Sequence, residues 1–241
     1  MSESANDTPR TALVTGASRG IGLAIARALV GRDTRVVLVA RTEPALREAA
    51  TALGDRAIPI ACDVGNPDAL DALVARATSE LGGVPDVLVN NAGLFKLAPI
   101  DITSGDDFAA AVDTNLVAPF RLIRAFLPSL RARKRGHIVS IGSIADRVAF
   151  SENGAYAASK FGLRGLHEVL RAELMNSGVR STLISPSAVD TPLWDEVDPD
   201  NRPGFLPRAS MLRPDAVAAA VIYVVTQPAD VNVSELRLSR A

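Results

Sequence analysis

The sequence predicts an α/β fold, a doubly wound parallel β-sheet with helices on both faces, and three observations carry that prediction. Short apolar runs alternate with longer segments in which alanine, leucine and isoleucine recur at three- and four-residue steps. The short runs are nearly continuous rather than alternating, which parallel strands covered on both faces require. A glycine-rich turn joins the first run directly to the first helical segment, so the chain begins with strand, turn and helix.

In chain order, buried strands are expected at residues 11–15, 35–40, 57–62, 86–90, 137–141 and 180–185. The helical segments between and after them fall at 21–30, 45–53, 67–81, 107–131, 156–175 and 215–226. Residues 190–214 hold five prolines and a glycine and follow the last of these strands, at the sheet edge where ligands of such folds sit. This stretch reads as a substrate loop, with an irregular surface excursion as the alternative. No internal repeat or low-complexity block interrupts the pattern, so residues 10–241 are expected to form one domain preceded by a flexible 1–9.

Composition narrows the function classes. With 26 basic and 27 acidic residues the chain has a formal charge of −1, which offers no field for a polyanion, so no nucleic-acid partner is expected. The single cysteine, Cys62, excludes an intrachain disulfide and cannot supply a thiolate cluster. The two histidines, His137 and His167, lack ligand spacing and read as structural, so no metal is expected. Residues 1–10 are polar, and no uncharged apolar run approaches the ~20 residues that cross a bilayer. A cytoplasmic protein without a membrane partner is the expectation.

The turn after the first run reads Thr15-Gly16-Ala17-Ser18-Arg19-Gly20-Ile21-Gly22. Missing side chains let backbone approach a pyrophosphate, and the free N–H groups of a helix's first turn add donors and a positive dipole end. A phosphate is the expected occupant. An NAD site usually places an acid about 20 residues past the glycines to grip the ribose 2′-hydroxyl. Here Val39-Ala40-Arg41-Thr42 offers none, and Arg41, with Arg19 in reach, suits a 2′-phosphate. NADP(H) is therefore the expected cofactor, against the alternative that Glu43 serves the ribose.

Tyr156 and Lys160 lie four apart, on one helix face. An ammonium beside a phenol favours the phenolate and lowers its pKa, which makes Tyr156 a usable proton shuttle. With these residues, Thr-Gly-x-x-x-Gly-x-Gly at 15–22 and Asn-Asn-Ala-Gly at 90–93, the chain resembles the short-chain dehydrogenase/reductase family over essentially its whole length. The resemblance implies a Rossmann-type domain that interconverts a carbonyl and an alcohol by hydride transfer. It also implies roles: Asp63 and Val64 against the adenine, Asn90, Ala92 and Gly93 as the wall beside the nucleotide, Tyr156 as acid/base, Lys160 on the nicotinamide ribose, and Ser143 on the substrate oxygen. Ser140 is the rival to Ser143.

Asn115 matches the family's proton-relay asparagine. Pro119, four residues on, has no N–H for the Asn115 carbonyl, which would leave that carbonyl to hold a relay water; a simple kink is the alternative. The chain departs from the family at Pro186-Ser187, where Pro-Gly is common. Pro186, Val189 and Thr191 are still expected near the nicotinamide, but Ser187 cannot take a positive φ as cheaply as glycine. Trp194 would either cover an apolar substrate or pack the loop to the body.

Within this reading the substrate is a small carbonyl or alcohol, with a 3-oxoacyl thioester or small ketone among the candidates. A noncatalytic dinucleotide-binding sensor, or an epimerase or lyase with the same trio, are the competing readings. The resemblance further implies a homodimer or homotetramer through residues 107–131 and 156–175, where Val112, Leu116, Phe120 and Ile123 need partners that a core could also supply.

Overall fold

The computed structural model describes residues 9–241. Seven strands, β1 (Thr11–Thr15), β2 (Arg35–Ala40), β3 (Ala57–Ala61), β4 (Val87–Asn90), β5 (Gly136–Ile141), β6 (Val179–Pro186) and β7 (Glu235–Leu238), form one sheet in the order β3-β2-β1-β4-β5-β6-β7. Every pairing is parallel. The long helices are α1 (Gly20–Val30), α2 (Glu43–Leu53), α3 (Pro67–Leu81), α4 (Gly105–Val112), α5 (Ala118–Ala132), α6 (Gly154–Glu173) and α7 (Pro214–Val225).

Two apolar layers hold the sheet. One packs α1, α2 and α7 against residues such as Val14, Val36 and Val89; the other packs α3, α5 and α6 against Leu13, Val37 and Leu88. Adjacent strand residues thus bury opposite faces, and β4 and β5 are buried at every position, as continuous apolar runs require. The order reverses at β1: the chain winds outward to β3, then returns to lay β4 on β1's other side. That switch point opens a crevice at the carboxyl ends of β1 and β4.

Three expectations need correction. The helix expected at 107–131 is three pieces: α4, one wide π turn at Asp113–Val117, and α5. Pro119 brings no N–H to the ladder, and the turn widens so that the Ala118 amide donates to the Asp113 carbonyl five residues back. Helix α4 also starts earlier than expected, because the Ser104 hydroxyl accepts from the Asp107 amide as an N-cap. Strand β7 has no counterpart among the expected strands. Its Glu-Leu-Arg-Leu run is short and charged, as an exposed edge tolerates, and only its pairing with β6 makes it a strand.

The stretch 190–214 is anchored rather than loose. Single turns at Pro192–Trp194 and Arg208–Ser210 punctuate it, and Arg208 pairs with Asp195 and Asp190. The Asp190 amide donates to the Leu212 carbonyl and the Leu212 amide to that of Ala188, closing the loop at its base. The expected flexible segment 1–9 lies outside the described residues except for Pro9, whose carbonyl accepts from the buried Thr34 hydroxyl at 2.8 Å.

Candidate active site

A cavity of about 520 Å³ fills the crevice. Its nucleotide end is built from the β1–α1 turn. Gly16 (φ +66°) and Gly20 (φ +56°) adopt left-handed backbone, and a Cβ on Gly16 would lie 2.9 Å from the Ala92 backbone. Gly22 has a different task. A Cβ there would meet the Gly16 carbonyl at 2.2 Å, so it lets α1 close onto the turn without lining the cavity. Ser18, Arg19 and Ile21 line the same end, and no side chain caps α1, which leaves its first-turn amides facing the crevice.

Arg19 and Arg41 both line this end and are exposed. Glu43 does not line it; it is held by Arg47, with Nε to Oε1 at 2.9 Å. Asp63 and Val64 close the far wall, where the Asp63 carboxylate accepts from the Gly65 amide at 3.0 Å.

The Asn-Asn-Ala-Gly segment divides its labour otherwise than expected. Ala92 and Gly93 line the cavity, but Asn90 is buried in β4, opposite Ser140 on β5, and is not part of the wall. A one-residue step along a strand reverses the face, and it is Asn91, past the strand's end, that reaches the turn. Its amide nitrogen Nδ2 donates to the Thr15 carbonyl at 2.8 Å and the Gly16 carbonyl at 3.3 Å. The Thr15 hydroxyl accepts from the amides of Asn91 and Ala92, both at 2.9 Å, so the two loops brace each other. The doubled asparagine was the available signal.

At the other end Ser143, Tyr156 and Lys160 line one wall. Ser143 ends the β5 loop and caps a short turn at Ile144–Asp146, accepting from the Ala145 amide at 3.1 Å. Ser140 is fully buried within β5 and does not line the cavity, which decides between the two serines on geometry. Lys160 is buried, its Nζ donating to the Ile141 carbonyl at 2.9 Å and lying 5.6 Å from the Tyr156 ring centre.

Burial raises the Tyr156 pKa to about 12, against hydrogen bonding to Ser143, and burial lowers Lys160 to about 8. The expected depression of the tyrosine by its neighbouring cation is therefore not found. Enclosure outweighs the four-residue spacing, and the ammonium is spent on a backbone carbonyl.

Two supporting groups complete the site. Asn115 does not line the cavity. Its side chain accepts from the Leu94 amide at 2.7 Å and donates to the Leu94 carbonyl and Ser159 hydroxyl, both at 2.9 Å. Ser159 in turn donates to the Tyr156 carbonyl at 2.7 Å, so the π turn ties the β4 loop to the backbone of α6 at Tyr156. Asp146, missed in the sequence, is fully buried behind Ser143; it accepts from the Ser185 hydroxyl at 2.5 Å and its charge is felt at both Tyr156 and Lys160. A Cβ on Gly142 would stand 2.9 Å from that carboxylate and 2.7 Å from Ser185 Oγ.

Pro186, Val189 and Thr191 line the cavity beside this end, as expected. Ser187 is not among the residues with positive φ, and its amide donates to the Leu238 carbonyl at 2.8 Å, so the missing glycine leaves no strain.

A doubly wound parallel sheet whose switch-point cavity opens on a glycine turn and ends on serine, tyrosine and lysine has the architecture of a dinucleotide-type oxidoreductase. The family model for short chain dehydrogenases matches residues 10–202, and the chain belongs to that family. An uncharacterized oxidoreductase of Staphylococcus haemolyticus is 36% identical over 94% of this chain and 95% of its own length. Among solved structures, a metagenomic short-chain oxidoreductase in complex with NADP is 36% identical, with TM-score 0.82 over 96% of this chain and 98% of that one. An alcohol dehydrogenase of the archaeon Thermococcus sibiricus, complexed with 5-hydroxy-NADP, is 31% identical, with TM-score 0.84 over 95% of each chain. Among the described residues no helix is long and apolar enough to cross a membrane, and no cluster of potential metal ligands occurs.

Proposed function

We propose that this chain is an NADP(H)-dependent oxidoreductase that interconverts a carbonyl and an alcohol. The observation that carries the reading is the sharing of one cavity by the glycine turn with its two arginines and by Ser143, Tyr156 and Lys160. The residues fit the cofactor: the Gly16 turn packs so closely on the Ala92 backbone that no side chain stands between it and a phosphate, and Arg19 and Arg41 line the same end, with Arg41 at the end of β2 where an acid would otherwise grip the ribose 2′-hydroxyl. The solved relatives that hold NADP or an analogue support the same choice.

When bound, NADPH supplies the hydride, an electron pair with its proton, and is left as NADP+. Negative charge then develops on the substrate oxygen, and Ser143 and Tyr156 are the hydroxyl donors placed to receive it. A phenol held near pKa 12 is protonated at neutral pH, so Tyr156 acts as the acid that gives its proton to that oxygen in reduction. Lys160, its charge retained below about pH 8, holds the nicotinamide ribose and replenishes the proton, and the Asn115 carbonyl opposite Pro119 holds the water that continues the relay. Asp63 and Val64 would support the adenine, Ala92 and Gly93 would wall the nucleotide, and Pro186, Val189 and Thr191 would lie toward the nicotinamide end.

The test is NADPH oxidation followed at 340 nm against ketones and aldehydes, with Tyr156→Phe as control. Turnover that vanishes in the variant is expected. Tight NADPH binding with no turnover of any carbonyl instead identifies a noncatalytic sensor.

A further inference from the structure

The wall opposite the nucleotide end is hydrocarbon. Phe95 meets the Tyr156 ring edge-on at 4.9 Å between centres, and the Trp194 ring at 5.0 Å. The indole Nε1 of Trp194 donates to the Val189 carbonyl at 3.1 Å, so its single polar atom is spent on backbone and the ring presents only apolar surface to the cavity. Around the mouth stand Ile144, Phe150 and Leu193, large apolar side chains each about 40% exposed. Lone exposed apolar residues are ordinary, but three around one cavity mouth describe a site for an apolar ligand.

Charge is distributed the opposite way. Of the cavity's charged residues, Arg19, Arg41 and Asp63 belong to the nucleotide end, and Lys160, buried with Nζ turned to the Ile141 carbonyl, serves the nicotinamide ribose in the proposed reading rather than the aromatic wall. The cations of the substrate loop turn elsewhere. Arg202 pairs with Glu152 and lies over the Phe205 ring at 4.8 Å, and Arg208 pairs with Asp190 and Asp195; neither lines the cavity. Behind Ser143 the buried carboxylate of Asp146 is paired with Arg147 at 3.3 Å and held by the Ser185 hydroxyl, so Arg147 too is engaged away from the cavity. An anionic substrate would therefore lose its hydration against aromatic walls and meet no arginine there to replace it.

We infer that the substrate is a neutral, apolar ketone or aldehyde whose hydrocarbon arm lies against Phe95 and Trp194, and that carboxylate-bearing carbonyls are rejected. This rests on the proposed reductase reading and adds no step to it: the same two-electron reduction gives the neutral secondary or primary alcohol. The loop's ion pairs hold Trp194 in place, so the selectivity is built into the fold rather than into a flexible lid.

Because Trp194 is the single tryptophan of the chain, its emission reports on this wall alone. The experiment titrates the protein saturated with NADP+, which cannot reduce a ketone, with 2-octanone and with 2-oxooctanoate. These share one hydrocarbon tail and differ by a methyl against a carboxylate at the carbonyl. A saturable change in emission is expected with 2-octanone at a Kd at least tenfold below that of 2-oxooctanoate. Leu193→Lys, an exposed substitution at the mouth, should narrow or reverse that preference while leaving NADP+ affinity unchanged. Equal or tighter binding of 2-oxooctanoate by the unsubstituted protein, no saturable response to 2-octanone, or an unaltered preference in the variant overturns the inference. If 2-octanone binds as expected yet no ketone consumes NADPH, the reductase reading fails and the apolar site stands.

Discussion

The family resemblance favours Ser143 over its rival Ser140, and burial separates them in the same sense: one lines the cavity, the other is sealed inside β5. Ser143→Ala is accordingly expected to lower kcat about 100-fold, the scale for removing one oxyanion donor, while the Kd for NADPH stays within about twofold. Stopped-flow turnover with a fluorescence titration of NADPH measures both, and a matching loss of cofactor affinity would move Ser143 from chemistry to structure. Arg41 poses the cofactor question in one side chain. It is exposed at the cavity rim while Glu43 is held by Arg47, so Arg41→Ala should raise the KM for NADPH about tenfold, the order of one charge-assisted contact, and leave that for NADH nearly unchanged. Equal effects on the two cofactors would return the ribose to another residue. The same scale holds the pKa reversal at Tyr156, where spacing on a helix suggests a partner cation and enclosure decides the outcome.

Among the elements, the π turn at Asp113–Val117 and strands β5 and β6 carry the consequences. His137 on β5 is buried beside Thr182 on β6, with Nε2 and Oγ1 2.7 Å apart. Thr182 gives its own proton to the Val233 carbonyl at 2.6 Å, so the imidazole donates from Nε2 and leaves Nδ1 unprotonated. Burial holds His137 down to about 3 and His167, on α6, down to about 4, each from an ordinary 6.5. Both are neutral in the fold, and the unfolded chain takes up their protons as pH drops through 6.5. Their stability contribution is thus complete above about pH 6.5 and is lost progressively below it. The melting temperature should fall as pH goes from 7 to 4, with a shallower fall in His167→Gln; parallel slopes would remove His167 from the effect. Of the elements themselves, those with long apolar runs are legible in the sequence. The π turn and β7 are not, because one depends on how a missing N–H is absorbed and the other on a neighbour supplying its hydrogen bonds.

At the scale of the whole molecule, the apolar residues of the α4 to α6 region sort between inside and outside. Ile123 is buried in the core, whereas Phe108, Phe120 and Phe161 are each more than two-fifths exposed on α4, α5 and α6, and Val169 on α6 more than half. We propose that a second copy covers this surface. Light scattering should give a dimer or tetramer, and Phe120→Glu should shift it toward monomer without altering the far-ultraviolet circular dichroism; a monomeric unsubstituted protein would overturn the assembly.

By itself the sequence determined what local chemistry dictates. Continuous apolar runs imply strands covered on both faces, the glycine spacing at 15–22 implies close backbone approach, and Tyr156 and Lys160 four apart imply one helix face. Only the tertiary structure decided which residues reach the site: Asn91 rather than Asn90 at the turn, Ser143 rather than Ser140 at the cavity, and Asp146 buried behind Ser143 against Ser185. These choices depend on which face of a strand meets which loop, and on the balance of burial against charge. Both arise from residues distant in the chain, so no local pattern contains them.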